Sequence, residues 1–246
     1  MSDHIQDPFT PLADWIQEAH LSAVAINRLQ AEFESSSLGF LRIPNFLHEN
    51  KAQTVADFLT QTAAFRPHYG LYKSGPPAVS REEWDAAEEE KRFFSFGKLS
   101  FKDREKPLDD PNYIAYIQMR KSWVQPAFHQ YIAAITNTTL IGTRIEATHR
   151  MTTGQFIRPH NDLKPGRRFT FLIYLSPHWQ PDYGGALHLI GKNGETLRSE
   201  VSFNTCVIFD ITKHQDHYVS EITPEAGDHG RFSIAARLHE SVPKKN

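Results

Sequence analysis

The chain has 246 residues, 27 basic against 29 acidic side chains, a formal net charge of −2 at pH 7, and a single cysteine, Cys206. This charge balance argues against a surface built to bind nucleic acid or anionic lipid, and one cysteine excludes both an internal disulfide and a thiolate zinc cluster. The N-terminal stretch lacks the basic and apolar regions of a signal peptide, and no segment reaches the length of a membrane span, so we expect a cytoplasmic protein without a membrane partner.

The first half of the chain is predicted to be mostly helical. In chain order, the sequence predicts a broken amphipathic helix over residues 11–33, a short strand over 39–44, and helices over 48–62, 80–91 and 111–136. Ser80 followed by Glu83 forms the capping-box pattern at the start of the third of these helices. We therefore expect residues 1–137 to form a helical support.

From residue 138 onward, short apolar runs alternate with turn residues. The predicted strands cover residues 140–151, 155–160, 168–175, 186–190, 200–203, 205–210, 218–222 and 231–239. This alternation of short apolar runs and turn residues is typical of an antiparallel sandwich or barrel. The predicted fold is mainly β with α: a double-stranded β-helix (jelly roll) core of about eight strands in residues 138–240, packed on the N-terminal helices within one domain, 1–246.

A candidate metal site begins at the second predicted strand of this core. His160 and Asp162 stand two residues apart, so on an extended chain both side chains point to the same face. His214 and His217 follow downstream, and either could complete a set of two imidazoles and one carboxylate. Such a triad suits non-haem Fe(II), which keeps three positions open, but zinc uses the same ligands in hydrolases. The ligands alone leave the metal undecided.

The last predicted strand carries the residues that favour one chemistry over the other. Arg231, Ser233 and Arg237 lie on one face, while the apolar residues between them lie on the opposite face and are expected to pack against the helices. A guanidinium inside the barrel is costly without an anionic partner, and a dicarboxylate cosubstrate would supply one. The alternative is a surface strand whose arginines pair with neighbouring acids.

Together these motifs resemble the Fe(II)/2-oxoglutarate-dependent dioxygenases. Their pattern is an H-x-D, a distal histidine and an R-x-S strand; this chain has His160-Asn161-Asp162, then His217, then Arg231-Phe232-Ser233. Over roughly residues 138–240 the chain is more closely similar to the prolyl-hydroxylase branch, especially the catalytic domain of ribosomal-protein prolyl hydroxylases. The stretch His217-Tyr218-Val219-Ser220-Glu221-Ile222 matches that branch and favours His217 over His214 as the ligand.

The resemblance implies a hydroxylase that couples the oxidation of an unactivated C–H bond to the release of succinate and CO2. In that reading His160, Asp162 and His217 hold Fe(II), and 2-oxoglutarate is bound by Arg231, Ser233 and Tyr174. Dioxygen is the second cosubstrate, and the resemblance adds ascorbate (vitamin C) as an auxiliary reductant. The protein positions the reactants, and the cofactor carries the hard chemistry.

The chain departs from the prolyl-hydroxylase pattern at two places. Met151 stands where the family has a tyrosine that helps to hold the cosubstrate, and Arg237-Leu238 stands where it has an aromatic pair. We expect Arg237 to bind a substrate carboxylate, which favours a small carboxylated substrate such as a free or derivatised amino acid. Two alternatives stay open: a prolyl hydroxylase of a ribosomal or translation protein, and a jelly-roll binding module or zinc hydrolase.

Overall fold

The computed structural model describes residues 9–72, 78–100 and 109–240. Its helices are α1 (Ala23–Ser35), α2 (Glu49–Asp57), α3 (Arg81–Ala86), α4 (Pro111–Ser122) and α5 (Pro126–Thr136), and a single π-helical turn, Phe58–Thr62, continues α2. Its strands are β1 (Phe40–Ile43), β2 (Phe65–Leu71), β3 (Ala78–Val79), β4 (Arg92–Leu99), β5 (Leu140–Met151), β6 (Ile157–His160), β7 (Arg167–Tyr174), β8 (Leu187–Gly191), β9 (Thr196–Ser199), β10 (Thr205–Asp210), β11 (His214–Val219) and β12 (Arg231–Glu240). No helix in these three ranges has the length and apolar character that crossing a membrane requires.

The strands form one curled antiparallel sheet. Its order is β1-β10-β7-β12-β5-β4-β6-β11-β8-β9, and β2 joins it as a neighbour of β4 and β3. Most neighbouring strands in this order are far apart in sequence. This arrangement is typical of a jelly roll, in which two four-stranded layers pack over each other. The predicted fold class, a double-stranded β-helix core with supporting helices, is confirmed.

The helices cover the convex face of the β7–β12 layer. Alternate residues of these strands, Phe169, Phe171, Ile173, Phe232, Ile234, Ala236 and Leu238, join the apolar faces of α1, α2, α4 and α5 in one buried cluster. Phe171 sits at its centre, with its ring 4.7 Å from that of Trp123 and 5.2 Å from that of Phe128. Because side chains alternate along a strand, this packing turns Arg231, Ser233 and Arg237 toward the opposite, concave face.

The prediction that the first half is mostly helical was wrong for residues 65–71 and 92–99. These residues form two long strands, β2 and β4, and β4 is inserted between β5 and β6. Its aromatic residues Phe93, Phe94 and Phe96 have high strand propensity, which outweighs the helical pattern of the charged run before them. The capping box of Ser80 and Glu83 is confirmed, but the helix that it opens ends at Ala86.

Smaller differences concern element boundaries. The helix expected over 111–136 is two helices, because Pro126 begins α5 and the residue before a proline disfavours helical backbone. The prediction of a strand over 200–203 was wrong, because these residues are irregular and β9 ends before them at Ser199. The strand expected over 218–222 begins earlier, as β11 (His214–Val219). This shift matters, because it places His214 and His217 inside a strand instead of before one.

Candidate metal centre and its cavity

His160, Asp162 and His217 come together on the concave face. His160 ends β6 and lies directly opposite His217 of β11 in the antiparallel register, and Asp162 follows two residues later. One potential ligand atom from each side chain lies within 4.8 Å of the other two, and Nε2 of His217 is 3.4 Å from Oδ2 of Asp162. Within the described ranges this is the one cluster of three or more His, Cys, Asp or Glu residues with such spacing.

Hydrogen bonds at the far side of each ring orient the two imidazoles. Nδ1 of His160 lies 3.0 Å from the Arg158 carbonyl oxygen, which can only accept, so this nitrogen donates and Nε2 keeps its lone pair. Nδ1 of His217 lies 3.3 Å from Nε2 of His214. His214, considered as a second possible ligand, therefore contacts the distal histidine instead of joining the triad.

His217 and Asp162 are held in the protonation states that a metal requires. Burial lowers the pKa of His217 to about 4, so its imidazole is neutral at pH 7. Burial alone would raise the pKa of Asp162, but the contact with His217 and the charge of Arg237 more than offset this and hold that pKa well below its usual range. A set of two imidazoles and one carboxylate fits a facial non-haem Fe(II) centre.

Arg231 provides a buried cation deeper in the same face. Its side chain is 2% exposed, and no acidic side chain of the described residues forms an ion pair with it. Its Nε donates to the Gly185 carbonyl oxygen at 2.7 Å, and Nη1 donates to Ser233 Oγ at 3.3 Å. A buried guanidinium without an acidic partner among the described residues is suited to bind the distal carboxylate of a dicarboxylic cosubstrate.

Tyr174 lies beside this guanidinium on the adjacent strand β7, and not on the opposite wall as the resemblance suggested. The Arg231 guanidinium carbon is 5.0 Å from the centre of the Tyr174 ring, and the hydroxyl is buried without a hydrogen bond of ordinary geometry. Met151, at the position where the family has a second tyrosine, contributes only a long contact from its sulfur, 3.7 Å from Arg231 Nη1. The Tyr174 hydroxyl is therefore an unused donor next to the unpaired cation.

A cavity of about 690 Å³ opens next to the metal ligands. Its aromatic wall consists of Phe93, Phe94 and Phe96 from β4 and Tyr72, the residue after β2. Five basic side chains, Lys98, Arg144, Lys164, Arg167 and Arg237, also line it, against two acidic ones, Glu146 and Asp162. The cavity thus combines an apolar wall with an excess of positive charge.

Arg237 lies between two carboxylates in this cavity. Nη2 is 2.6 Å from Oδ2 of Asp162, Nε is 3.2 Å from Oε2 of Glu146, and Nη1 donates to Thr170 Oγ1 at 2.9 Å. Glu146 also pairs with Arg167. Glu146 is the extra residue of a β-bulge in β5, since Ala235 and Ala236 pair with Ala147 and Ile145, and such a bulge redirects a side chain.

The sequence predictions missed one side of the cavity. The aromatic wall went unnoticed because residues 92–99 were not assigned to a strand, although their aromatic spacing is a usable strand signal. His149 was also missed: it lines the cavity from β5, opposite Ser233 of β12 and with its ring 4.3 Å from that of Phe96. Burial first, and then the charges of Arg231 and Arg237, lower the pKa of His149 to about 3.

Comparisons with known proteins agree with this geometry. Residues 147–239 match the family described as the 2OG-Fe(II) oxygenase superfamily. The prolyl 3-hydroxylase OGFOD1 of Xenopus laevis is 31% identical over 123 residues, which are 46% of this chain and 23% of that protein. The Mus musculus protein of the same name is 33% identical over 82 residues, which are 31% of this chain and 15% of that protein. The chain thus spans less than a quarter of the curated relatives it matches.

Solved structures share the fold. A prolyl-4-hydroxylase from Pseudomonas putida has a TM-score of 0.57 at 14% identity, covering 88% of this chain and all of that one. A Trichoplax adhaerens prolyl hydroxylase, solved in complex with a hypoxia inducible factor peptide fragment, has a TM-score of 0.58 at 15% identity, covering 89% and 94%. At these identities the likeness concerns the fold alone.

The matched region contains all three residues of the candidate metal centre, so residues 147–239 are similar to a 2OG-Fe(II) oxygenase in both sequence and site. Within that class the sequence is prolyl-hydroxylase-like, and the resemblance inferred from the motifs is confirmed. The class implies Fe(II), 2-oxoglutarate and dioxygen.

Proposed function

We propose that the chain acts as one oxygenase domain that hydroxylates a small carboxylated molecule at an unactivated C–H bond, with release of succinate and CO2. A free or derivatised amino acid is the substrate class that the cavity favours. The observation that carries this choice is Arg237, a cation held 2.6 Å from the carboxylate of Asp162 in a cavity lined by more basic than acidic side chains.

The residues of the site fall into three groups, which would bind the metal, the cosubstrate and the substrate. His160, Asp162 and His217 would hold Fe(II), which supplies, with 2-oxoglutarate and dioxygen, the oxidising power for the C–H bond. Arg231 and Ser233 would pair with the distal carboxylate of the cosubstrate, and the Tyr174 hydroxyl would donate to it. The aromatic wall would exclude water from the reacting carbon and hold the apolar part of the substrate.

The charge of the cavity supports an anionic substrate. Arg237 is 12% exposed at its side chain, and it is already oriented by Thr170 and Glu146. A guanidinium oriented in advance loses little freedom when a substrate carboxylate binds, so that binding is favoured. The cavity volume is also in the range that encloses small ligands.

The test is a screen of amino acids and their N-acyl derivatives for stimulated conversion of 2-oxoglutarate to succinate, with the product identified by a mass gain of one oxygen. Replacing Arg237 with Leu should then raise the substrate KM about 10- to 100-fold, the usual effect of losing a hydrogen bond to a charged group. Because Arg237 also contacts Asp162, the KM for 2-oxoglutarate in substrate-free turnover serves as the control. An unchanged substrate KM would reject the assignment of Arg237.

A second candidate is a prolyl hydroxylase of a ribosomal or translation protein, and the identity to the OGFOD1 proteins favours it. Mass spectrometry of a strain that lacks the gene would support it if one prolyl residue lost a hydroxylation. In that case no small molecule should stimulate succinate formation.

The remaining alternatives, a binding module or a zinc hydrolase, receive no support from the family match. Fe(II)-dependent formation of succinate that disappears in Asp162→Ala would reject both. An ascorbate requirement stays a prediction, which the same assay tests by omitting ascorbate over many turnovers.

A further inference from the structure

His214 is a buried histidine that the proposed reaction leaves without a role. It is 1% exposed, and it lies three residues before His217 on the same strand. Residues three apart on a regular strand face opposite sides, but β11 has a bulge between His214 and Asp216. The extra residue of the bulge, Gln215, shifts the alternation of side chains by one position. Both imidazoles therefore point to the same, concave face of the sheet.

The two ring nitrogens of His214 have different hydrogen-bonding roles: Nδ1 donates and Nε2 accepts. Its Nδ1 lies 2.9 Å from the backbone carbonyl oxygen of Asp210, which can only accept, so Nδ1 carries the proton. A neutral imidazole has one N–H, and Nε2 is therefore an acceptor. It lies 3.3 Å from Nδ1 of His217, which must donate. The remaining nitrogen of His217, Nε2, then has a free lone pair on the side that faces Asp162.

We propose that His214 is a positioning residue that fixes the tautomer and the ring orientation of His217, so that His217 Nε2 is ready to bind the metal. The inference rests on the proposed metal centre. Metal-binding histidines commonly donate their second nitrogen to a carbonyl or carboxylate; here the acceptor is a second imidazole, itself anchored on the backbone.

The surroundings hold both rings in place. Phe209 contacts each of them edge to face, with ring centroids 5.5 Å from His214 and 5.2 Å from His217. With one ring face blocked and the far nitrogen bonded, His217 has little freedom to rotate. His214 itself has both nitrogens engaged, which explains why it supports the triad instead of entering it.

The test compares two substitutions at this position. His214→Gln can place an amide oxygen near the position of Nε2 and so keep the acceptor, whereas His214→Phe fills the volume without one. Co(II) affinity is measured by titration, together with the visible absorption bands of the bound ion. We expect His214→Phe to bind Co(II) about 10- to 100-fold more weakly than wild type, as for other residues that orient a metal ligand, and His214→Gln to recover most of the loss.

A matched control is His188→Phe. His188 lies on the neighbouring strand β8, stacked on Tyr218 with ring centroids 4.4 Å apart, and no side-chain hydrogen bond or ring contact joins it to the triad. Its replacement should leave Co(II) affinity unchanged. Circular dichroism of each apoprotein establishes that the variants are folded before their affinities are compared.

An independent readout is the tautomer of His214. In the Zn(II)-loaded protein, nitrogen NMR should show His214 protonated at Nδ1 and His217 with a slowly exchanging Nδ1 proton, which His214→Phe should expose to exchange. The inference fails if folded His214→Phe binds Co(II) like wild type, or if His214 is protonated at Nε2. It also fails if His214→Phe loses as much affinity as His217→Ala, because His214 would then be a ligand. Wild type that binds no Co(II) would instead reject the metal centre itself.

Discussion

At the scale of single residues, the buried guanidinium of Arg231 is the clearest indication of an anion-binding site. It is buried beside Tyr174, and its hydrogen bonds go to neutral acceptors, Gly185 and Ser233. Burial lowers the pKa of Arg231, which means that the free protein holds this charge at a cost. A dicarboxylate that neutralises the charge should therefore stabilise the folded state.

Arg231→Met is expected to abolish the stabilisation by 2-oxoglutarate. A ligand at 100 times its Kd stabilises the folded state by about 2.7 kcal/mol, and without the cation this gain should disappear. Removing the buried charge offsets the lost hydrogen bonds, so the apoprotein should stay folded. Thermal melts with Zn(II), with and without 2-oxoglutarate, check both points. A wild-type-sized shift in the variant would contradict the role of Arg231.

Gly185 keeps the space that Arg231 occupies. A Cβ at Gly185 would lie 2.7 Å from Cδ of Arg231 and 2.6 Å from Cδ1 of Ile222, and its φ of +70° also disfavours a side chain. Gly185→Ala should therefore displace Arg231 and raise the KM for 2-oxoglutarate at least tenfold, the factor that corresponds to about 1.4 kcal/mol.

The control for this substitution is Gly154→Ala. Gly154 has a φ of +77°, but a Cβ there would meet open space. Backbone strain alone should thus affect both variants alike, and only Gly185→Ala should change the KM. Equal KM values in the two variants would show that contact with Arg231 is not the cause.

At the scale of elements, the insertion of β4 between β5 and β6 builds the aromatic wall of the cavity. Phe94 of β4 lies directly opposite Gly70 of β2, and its ring covers the glycine: a Cβ at Gly70 would be 2.3 Å from Cε1 of Phe94. The absence of a side chain at Gly70 thus sets the position of one wall residue. The ring has little room to move, since it also stacks on Phe96 at 4.9 Å between centroids.

Gly70→Ala is expected to destabilise the fold by about 1 to 3 kcal/mol, the usual cost of adding a methyl group to a packed site. Gly142→Ala is the matched control, because Gly142 also lies in a strand and a Cβ there has nothing within 4 Å. Urea denaturation of both variants measures the difference. Equal stabilities would mean that Phe94 rotates away without cost, and the cavity wall would then be adaptable.

The elements also show how far sequence patterns reach. The core strands of the second half were predictable because turn residues separate them. His160 and Asp162 were predictable because H-x-D geometry is local, whereas only the resemblance favoured His217 over His214. The β2–β4 pair was not predicted, since β4 follows a strongly charged run and the pairing joins residues on either side of that run. Likewise, the bulge that brings His214 next to His217 depends on the register with β8, which no spacing in the sequence records.

At the scale of the whole molecule, the same strands serve two purposes. The convex faces of β7 and β12 anchor the helices through large apolar side chains, while their concave faces carry Tyr174, Arg231 and Arg237. Because side chains alternate along a strand, burial of the apolar face of β7 and β12 under the helices orients the polar side chains of these strands toward the cavity side. The predicted parity of the last strand agrees with this arrangement, but the pairing of Arg237 with Glu146 required the bulge in β5 and could not be derived from alternation.

Placing a neutral histidine among the cations of the cavity makes the stability of the molecule depend on pH. The pKa of His149 is lowered to about 3 in the folded protein, first by burial and then by Arg231 and Arg237, whereas an unfolded chain has the ordinary value of about 6.5. Above pH 7 the imidazole is neutral in both states and contributes nothing. Between pH 6.5 and 3 the unfolded chain binds a proton that the folded protein does not, so stability falls as the pH falls.

His149→Gln should remove this dependence. Relative to the variant, wild type is expected to lose about 1 to 2 kcal/mol of unfolding free energy between pH 7.5 and 5.0, the linkage expected for one histidine that stays neutral when folded. Urea denaturation at a series of pH values measures the difference, and the comparison at pH 7.5, where both chains are neutral at this position, corrects for changes in packing. Parallel pH profiles would show that the folded protein protonates His149 freely, and that the cations around it, Arg231 and Arg237, do not control its charge.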